Sequence, residues 1–243
     1  MIDIRGEKNY SGIIHDFMKE NGLHKIIAFS GGSDSEISGI AADDPIQAQY
    51  KEFAKAHEER IIGDAIKKLS NYQVAILTGG TKWGVPNTAT IKAKEYGMKT
   101  IGVFPLAGRK HALPDNLLDI SFCVEPFVGE SRWGDESPIF TNLLDGVIVY
   151  GGGAGTLIEC AHILKMNEAI MKKRTTSENE KNETVKFIVP IYGTGGVAEG
   201  LPFVWGKAEV RLECMPFKRV ANGLEAVDIL CQKLNLDDYF IEY

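Results

Sequence analysis

The chain has 243 residues with 44% hydrophobic and 25% charged side chains, ordinary usage for a globular protein, which excludes collagen-like, coiled-coil and wholly disordered readings. Its 27 basic and 33 acidic residues leave a net charge of −6, which argues against a general nucleic-acid binder. No apolar stretch approaches the length that spans a bilayer, so no membrane partner is expected.

In chain order, Lys25 to Ser30 reads as a first strand, ending in the loop Gly31-Gly32-Ser33-Asp34-Ser35. Residues 48–69 place apolar side chains at helical spacing. Val74 to Leu77 is a second strand stopped by Thr78-Gly79-Gly80, and a helix follows from Asn87 to Tyr96 with Gly97 as its cap. Thr100 to Phe104, Ile120 to Val124 and Asp145 to Tyr150 are the third to fifth strands. The last of these runs into Gly151-Gly152-Gly153-Ala154-Gly155-Thr156 and a helix from Leu157 to about Met171. Residues 172–184 are polar and read as an exposed connection. Lys186 to Ile191 is a sixth strand, and Ala221 to Leu234 is a closing helix.

Strands alternating with helices predict an α/β fold of the Rossmann-like, doubly wound type, a mostly parallel sheet with helices on both faces. One domain over 1–243 is expected, with a core at about 24–191 and an extension at 193–243. Ligands in such folds sit beyond the carboxyl ends of the strands, and the three glycine clusters fall at those ends.

In the third cluster, glycines let backbone approach a ligand, and the following helix offers free N–H groups to an anion such as phosphate. Thr156 is a cap or a phosphate donor. Glu159, one turn in, either reaches ribose hydroxyls or a water, or only complements the helix dipole. The second cluster offers Gly79, Gly80 and Thr81, with Trp83 either stacked on a base or covering the core. The first offers Ser30 and Gly31, while Ser33 and Asp34 are equally ordinary turn residues. Gly193 to Gly196 is a further wall of the pocket or a simple turn.

Common motifs fail: the glycine run lacks the third glycine and acidic partner of a dinucleotide fingerprint, and no P-loop, HExxH or GxSxG string is present. The five histidines lack ligand spacing and read as surface or packing residues, so no metal and no cofactor are expected. The four cysteines are scattered without a CxxC pair. Their placement suits free thiols in a reducing cytoplasm, and the N-terminus has no basic-then-apolar signal pattern.

The string Gly151-Gly152-Gly153-Ala154-Gly155-Thr156-Leu157-Ile158-Glu159 resembles the PGGxGTxxE signature of the LOG-like family, often labelled "lysine decarboxylase-like". That family belongs to the SLOG group of Rossmann-like nucleotide binders. Leu77 to Thr81 and Thr100 to Pro105 match its second hallmark, a strand-end GG loop and an IGV-P strand. The resemblance implies a homodimeric phosphoribohydrolase that cleaves a nucleoside 5′-monophosphate to free base and ribose 5-phosphate. It implies that Gly152, Gly153, Gly155 and Thr156 hold phosphate and that Glu159 engages the ribose or the attacking water. The family also uses an arginine, but the motif-spaced position holds Glu136 and the nearest arginine is Arg132. Either Arg132 reaches the site through a differently built loop, or catalysis is lost or altered. No pyridoxal-lysine motif accompanies the decarboxylase label. Two other readings stand beside the hydrolase: a sensor or carrier of an ADP-ribose-like or molybdenum-cofactor-like nucleotide derivative, and a structural subunit whose loops are only turns.

Overall fold

The computed structural model describes residues 2–5, 10–32, 45–176, 184–204 and 212–241. Its strands are β1 (Ile2–Arg5), β2 (Lys25–Gly31), β3 (Val74–Thr78), β4 (Thr100–Pro105), β5 (Ile120–Val124), β6 (Gly146–Tyr150) and β7 (Phe187–Pro190). They form one seven-stranded sheet in the order β1-β5-β4-β3-β2-β6-β7, and every pairing is parallel. The helices are α1 (Tyr10–Glu20), α2 (Pro45–Leu69), α3 (Gly84–Glu95), α4 (Ser137–Leu143), α5 (Ala154–Thr176), α6 (Gly196–Val204) and α7 (Gly223–Leu234). The fold is the Rossmann-like α/β architecture that the strand–helix alternation predicts.

Successive strand residues face opposite sides, and the two cores follow that period. Ile27 and Phe29 of β2 pack with Ile76, Ile148 and Val189 beneath α2, α3 and α7. Ile26 and Ala28 pack with Leu77, Val147 and Ile188 beneath α1, α4, α5 and α6. Complete burial of a side chain such as Phe29 or Ile27 contributes about 2 kcal/mol. With helices on both faces, the strands become continuous apolar runs, which is why they are legible as KIIAF and VAIL. All four cysteines are buried, and none is in a disulfide.

Several boundaries differ from the sequence reading. α5 continues through Thr176, so 172–176 is helix rather than connection, while 177–183 lie outside the described residues. α3 starts at Gly84, because Trp83 is extended and the turn opens at once. Gly97 follows that helix with φ +68°, the left-handed conformation predicted for its cap. β1, α1, α4 and α6 are additions to the elements expected from the sequence; they are short or lie outside the glycine-bearing segments.

A buried asparagine ties α5 to β7. Asn167 Nδ2 donates to the Lys186 carbonyl at 2.8 Å, and its Oδ1 accepts from the Lys186 N–H at 2.8 Å. Asn167→Ala strands both backbone groups, so it is expected to lower unfolding free energy by about 2 kcal/mol. A urea midpoint measurement checks this.

Candidate functional site

The chain runs outward from β2 through β3 to β4, and β6 then returns to the other flank of β2. The exits of β2 and β6 therefore diverge, and a crevice opens between them at the carboxyl edge. A cleft of about 280 Å³ fills it. The β2 exit contributes Ser30 and Gly31, the β3 exit Gly79 and Thr81, and the start of α5 Gly153, Gly155, Thr156 and Glu159.

The corner into α5 is built by glycine and held from behind. Gly151 and Gly152 have φ of +57° and +96°, and a Cβ on Gly152 would lie 2.6 Å from Thr156 Oγ1. A side chain there is excluded both by conformation and by space. The first turn of α6 caps the corner: Val197 N–H donates to the Gly152 carbonyl at 3.0 Å and Ala198 N–H to the Gly151 carbonyl at 2.9 Å. Gly151 N–H in turn donates to Thr194 Oγ1 at 2.9 Å. A trans peptide sets its N–H opposite its C=O, so the N–H groups of Gly152 and Gly153 point away from α6. Gly153 lines the cleft on that side, where the unpaired first-turn amides of α5 also gather. An anion fits this corner without any basic side chain. The loop at 193–196 is thus a buttress of the corner and not a wall of the cleft.

The acidic chemistry lies deeper. The Ser30 hydroxyl donates to Glu159 Oε2, joining the end of β2 to α5 across the switch point. Burial pushes the Glu159 carboxyl up to about 8; the Ser30 bond opposes the shift and the charge of Glu136 adds to it. Glu136 lines the same cleft, and burial raises its carboxyl too, against the N–H donors of Gly134 and its own backbone. Burial thus raises both carboxyls, and the deeper one, Glu159, carries its proton through neutral pH beside the charge of Glu136.

Three of the expected residues stand elsewhere. Arg132 is exposed and off the cleft wall, with its N–H engaged by Asp135 at 2.7 Å. The loop turns there so that Trp133 and Glu136 face inward instead. Among the described residues, no lysine or arginine lines the cleft. Gly80 has φ +60° and packs under Phe104, with its carbonyl bonded to Leu113, so it shapes the β3 turn from below. Gly152 forms the corner described above rather than the wall. Trp83 packs against His111, its ring tilted at 44° with centroids 4.3 Å apart, and does not line the cleft. Ser33 and Asp34 lie outside the described residues. His57 is a packing residue, paired with the Tyr150 hydroxyl at 2.8 Å. Among the described residues no group of histidine, cysteine and carboxylate side chains is arranged to hold a metal, and no helix is long and apolar enough to cross a membrane.

Trp133, Phe140, Pro86 and Phe29 also line the cleft, beyond the residues expected from the sequence. Only the tryptophan–glycine pair preceding Glu136 carried any signal, as an aromatic beside the motif-spaced position.

Solved structures share this architecture. The protein TM1055 superposes with a TM-score of 0.58 at 18% identity, over 86% of this chain and 99% of that one. The molybdenum cofactor carrier protein of Chlamydomonas reinhardtii gives 0.55 at 21% identity, over 87% and 98%. The molybdenum cofactor binding protein of the phototrophic bacterium Rippkaea orientalis gives 0.50 at 20% identity, over 87% and 97%. No curated protein matches the sequence. The sequence model of the SLOG cluster4 family matches residues 49–189, which carry β3 to β6, all but the last residue of β7 and, in one unbroken run, Glu136, the glycine corner and Glu159. With that match over more than half of its length, the chain belongs to the SLOG cluster4 family.

Proposed function

We propose that the cleft binds a nucleoside 5′-monophosphate and hydrolyses its N-glycosidic bond, releasing free base and ribose 5-phosphate. The observation that carries this reading is the placement of Glu159, bonded to Ser30, in the same cleft as the amides of the glycine corner. The phosphate sits on the N–H groups of Gly153, Gly155 and Thr156, which fixes the ribose above Glu159. Phosphate binding remote from the scissile bond supplies positioning energy. As the C1′–N bond breaks, its electron pair moves to the base and positive charge builds on the ribose. Glu159, protonated in the free protein, gives its proton to the departing base nitrogen, and the carboxylate so formed stabilises the ribose cation. Water then adds to C1′, and its proton returns to Glu159. Pairing a pKa-raised acid with an oxocarbenium-like centre is the logic of glycoside hydrolysis.

A second reading is favoured by one observation: Arg132, the arginine nearest the family's position, lies outside the cleft. In that reading the protein holds a nucleotide derivative and turns nothing over, as a carrier does. Two of the solved structures with this fold bear molybdenum-cofactor carrier or binding names. Incubation with a panel of nucleoside 5′-monophosphates, followed by chromatography for free base, separates the two. Release of base that scales with protein supports the hydrolase. Saturable binding with no release supports the carrier and overturns the hydrolase.

A further inference from the structure

We infer that Glu136 and Trp133 form a base-reading subsite that selects a heterocycle presenting two adjacent N–H donors, the edge of the 2-amino-4-oxopyrimidine ring shared by guanine and pterins. The inference rests on the nucleotide-type reading of the cleft and names the class of base within it.

Where the family resemblance leads one to expect a cationic donor, the wall presents an acceptor. Glu136 lies just before α4, and Gly134 N–H donates to its Oε2 at 2.8 Å. A carboxylate has about four lone-pair positions; the Gly134 N–H and its own N–H take two and anchor the group, which leaves room for two further donors. Guanine offers N1–H and its 2-amino group side by side, and a pterin offers N3–H and its 2-amino group in the same arrangement. Adenine places an acceptor nitrogen beside its amino group, and that lone pair would face a carboxylate oxygen. The sign of the wall therefore discriminates between the two purines.

Trp133 supplies the platform. It lines the cleft and is 54% exposed, yet a methyl group on Gly108 would fall 2.9 Å from its ring. The ring is thus backed by the turn after β4, and Phe140 and Phe29 line the same cleft. An aromatic plate beside a single anchored carboxylate is the arrangement that stacks a flat base and reads one edge. Burial of Glu136 adds to the effect, because donors delivered to a poorly solvated carboxylate are worth more than in water.

The test is calorimetric binding at pH 7 of the carbocyclic analogues of guanosine, inosine and adenosine 5′-monophosphate, together with a pterin monophosphate. In the carbocyclic analogues a ring carbon replaces the ribose oxygen, so no cation can form and nothing is cleaved. The guanine analogue is expected to bind about tenfold or more tighter than the adenine analogue, with inosine, which lacks the 2-amino group, between them. Glu136→Gln keeps an oxygen for Gly134 but presents one acceptor and one donor, a match for adenine. It is expected to erase or invert the preference. Selectivity is a ratio within one protein, so a partial loss of folded material cancels. Equal binding of guanine and adenine analogues by the parent protein, or a guanine preference that survives Glu136→Gln, overturns the inference. Tighter binding of the pterin phosphate than of the guanine analogue, lost in Glu136→Gln, identifies a pterin as the source of the edge, and the reverse order, lost in the same variant, identifies a nucleotide. Tight but indiscriminate nucleotide binding sinks the base assignment alone. Failure of every nucleotide and of the pterin phosphate to bind sinks the functional reading with it.

Discussion

A Glu159→Gln variant is expected to lose base release by about 10³-fold, to bind nucleotide as before, and to melt at a higher temperature than the parent at pH 8. The catalytic half follows from the proton inventory of the cleft: glutamine keeps the bond to Ser30 but has no proton to give and forms no carboxylate. Unchanged turnover in this variant would refute the role assigned to Glu159. The stability half is independent of any substrate. The Glu159 carboxyl titrates at about 8 in the folded protein against 4.5 as its ordinary value, and burial is the cause. Between those two values the unfolded chain binds fewer protons than the folded one, so stability is full below pH 4.5 and is lost as pH rises through 8. The loss at pH 8 is about 4 kcal/mol for a shift of this size. Glutamine has no such titration, so the variant escapes the loss at pH 8 and gains nothing at pH 4. For a chain of this length, calorimetric melting would show a gain of about 8–16 °C at pH 8. Equal melting temperatures at both pH values would mean that the carboxyl is solvated and unperturbed. Base release by the parent should also decline as pH rises through 8, because the acid has then lost its proton.

Much of this site is visible in the sequence because backbone chemistry announces itself. Gly151 and Gly152 are glycine because a left-handed corner and the Thr156 side chain leave no alternative, and the strand before them is an unbroken apolar run. Glu159 sits a fixed turn and a half behind that corner, so its arrival in the cleft follows from helix geometry alone. The opposite wall gives no such notice. Residues 125–136 have no period, and which of Arg132, Trp133 and Glu136 turns inward depends on how that loop packs on the turn after β4 and against Ile158. Gly134 carries φ +107° and would place a Cβ 3.4 Å from Ile158 Cδ1, a tertiary contact that no local pattern encodes. The buttress from α6 is hidden for the same reason. Gly193 to Gly196 reads as a turn, and its task of accepting the Gly151 N–H through Thr194 and delivering Val197 and Ala198 to the carbonyls of Gly152 and Gly151 appears only when β6 and β7 are paired.

Two glycines that line the same cleft should respond to alanine in opposite ways. At Gly31 a Cβ would lie 2.3 Å from the Tyr150 carbonyl oxygen and 2.4 Å from a Val85 methyl. The first of these is backbone of the paired strand β6, in register with Gly31, so it cannot step aside without opening the β2–β6 ladder. Gly31→Ala is therefore expected to cost about 3 kcal/mol or more, the scale of severe overpacking in a close-packed interior. At Gly153 nothing lies within 4 Å of the added atom and φ is not left-handed. Gly153→Ala is therefore expected to fold within about 0.5 kcal/mol of the parent, since it touches no packing. Its methyl group would instead stand at the mouth of the amide corner, where a phosphate must come close to the backbone, so nucleotide affinity should fall about tenfold or more. Chemical denaturation and calorimetric binding on both variants check the contrast. A Gly153→Ala protein that folds normally and still binds phosphate esters at full strength would show that the anion sits elsewhere in the crevice. A Gly31→Ala protein as stable as the parent would show that β2 and β6 separate at their carboxyl ends more freely than their pairing allows.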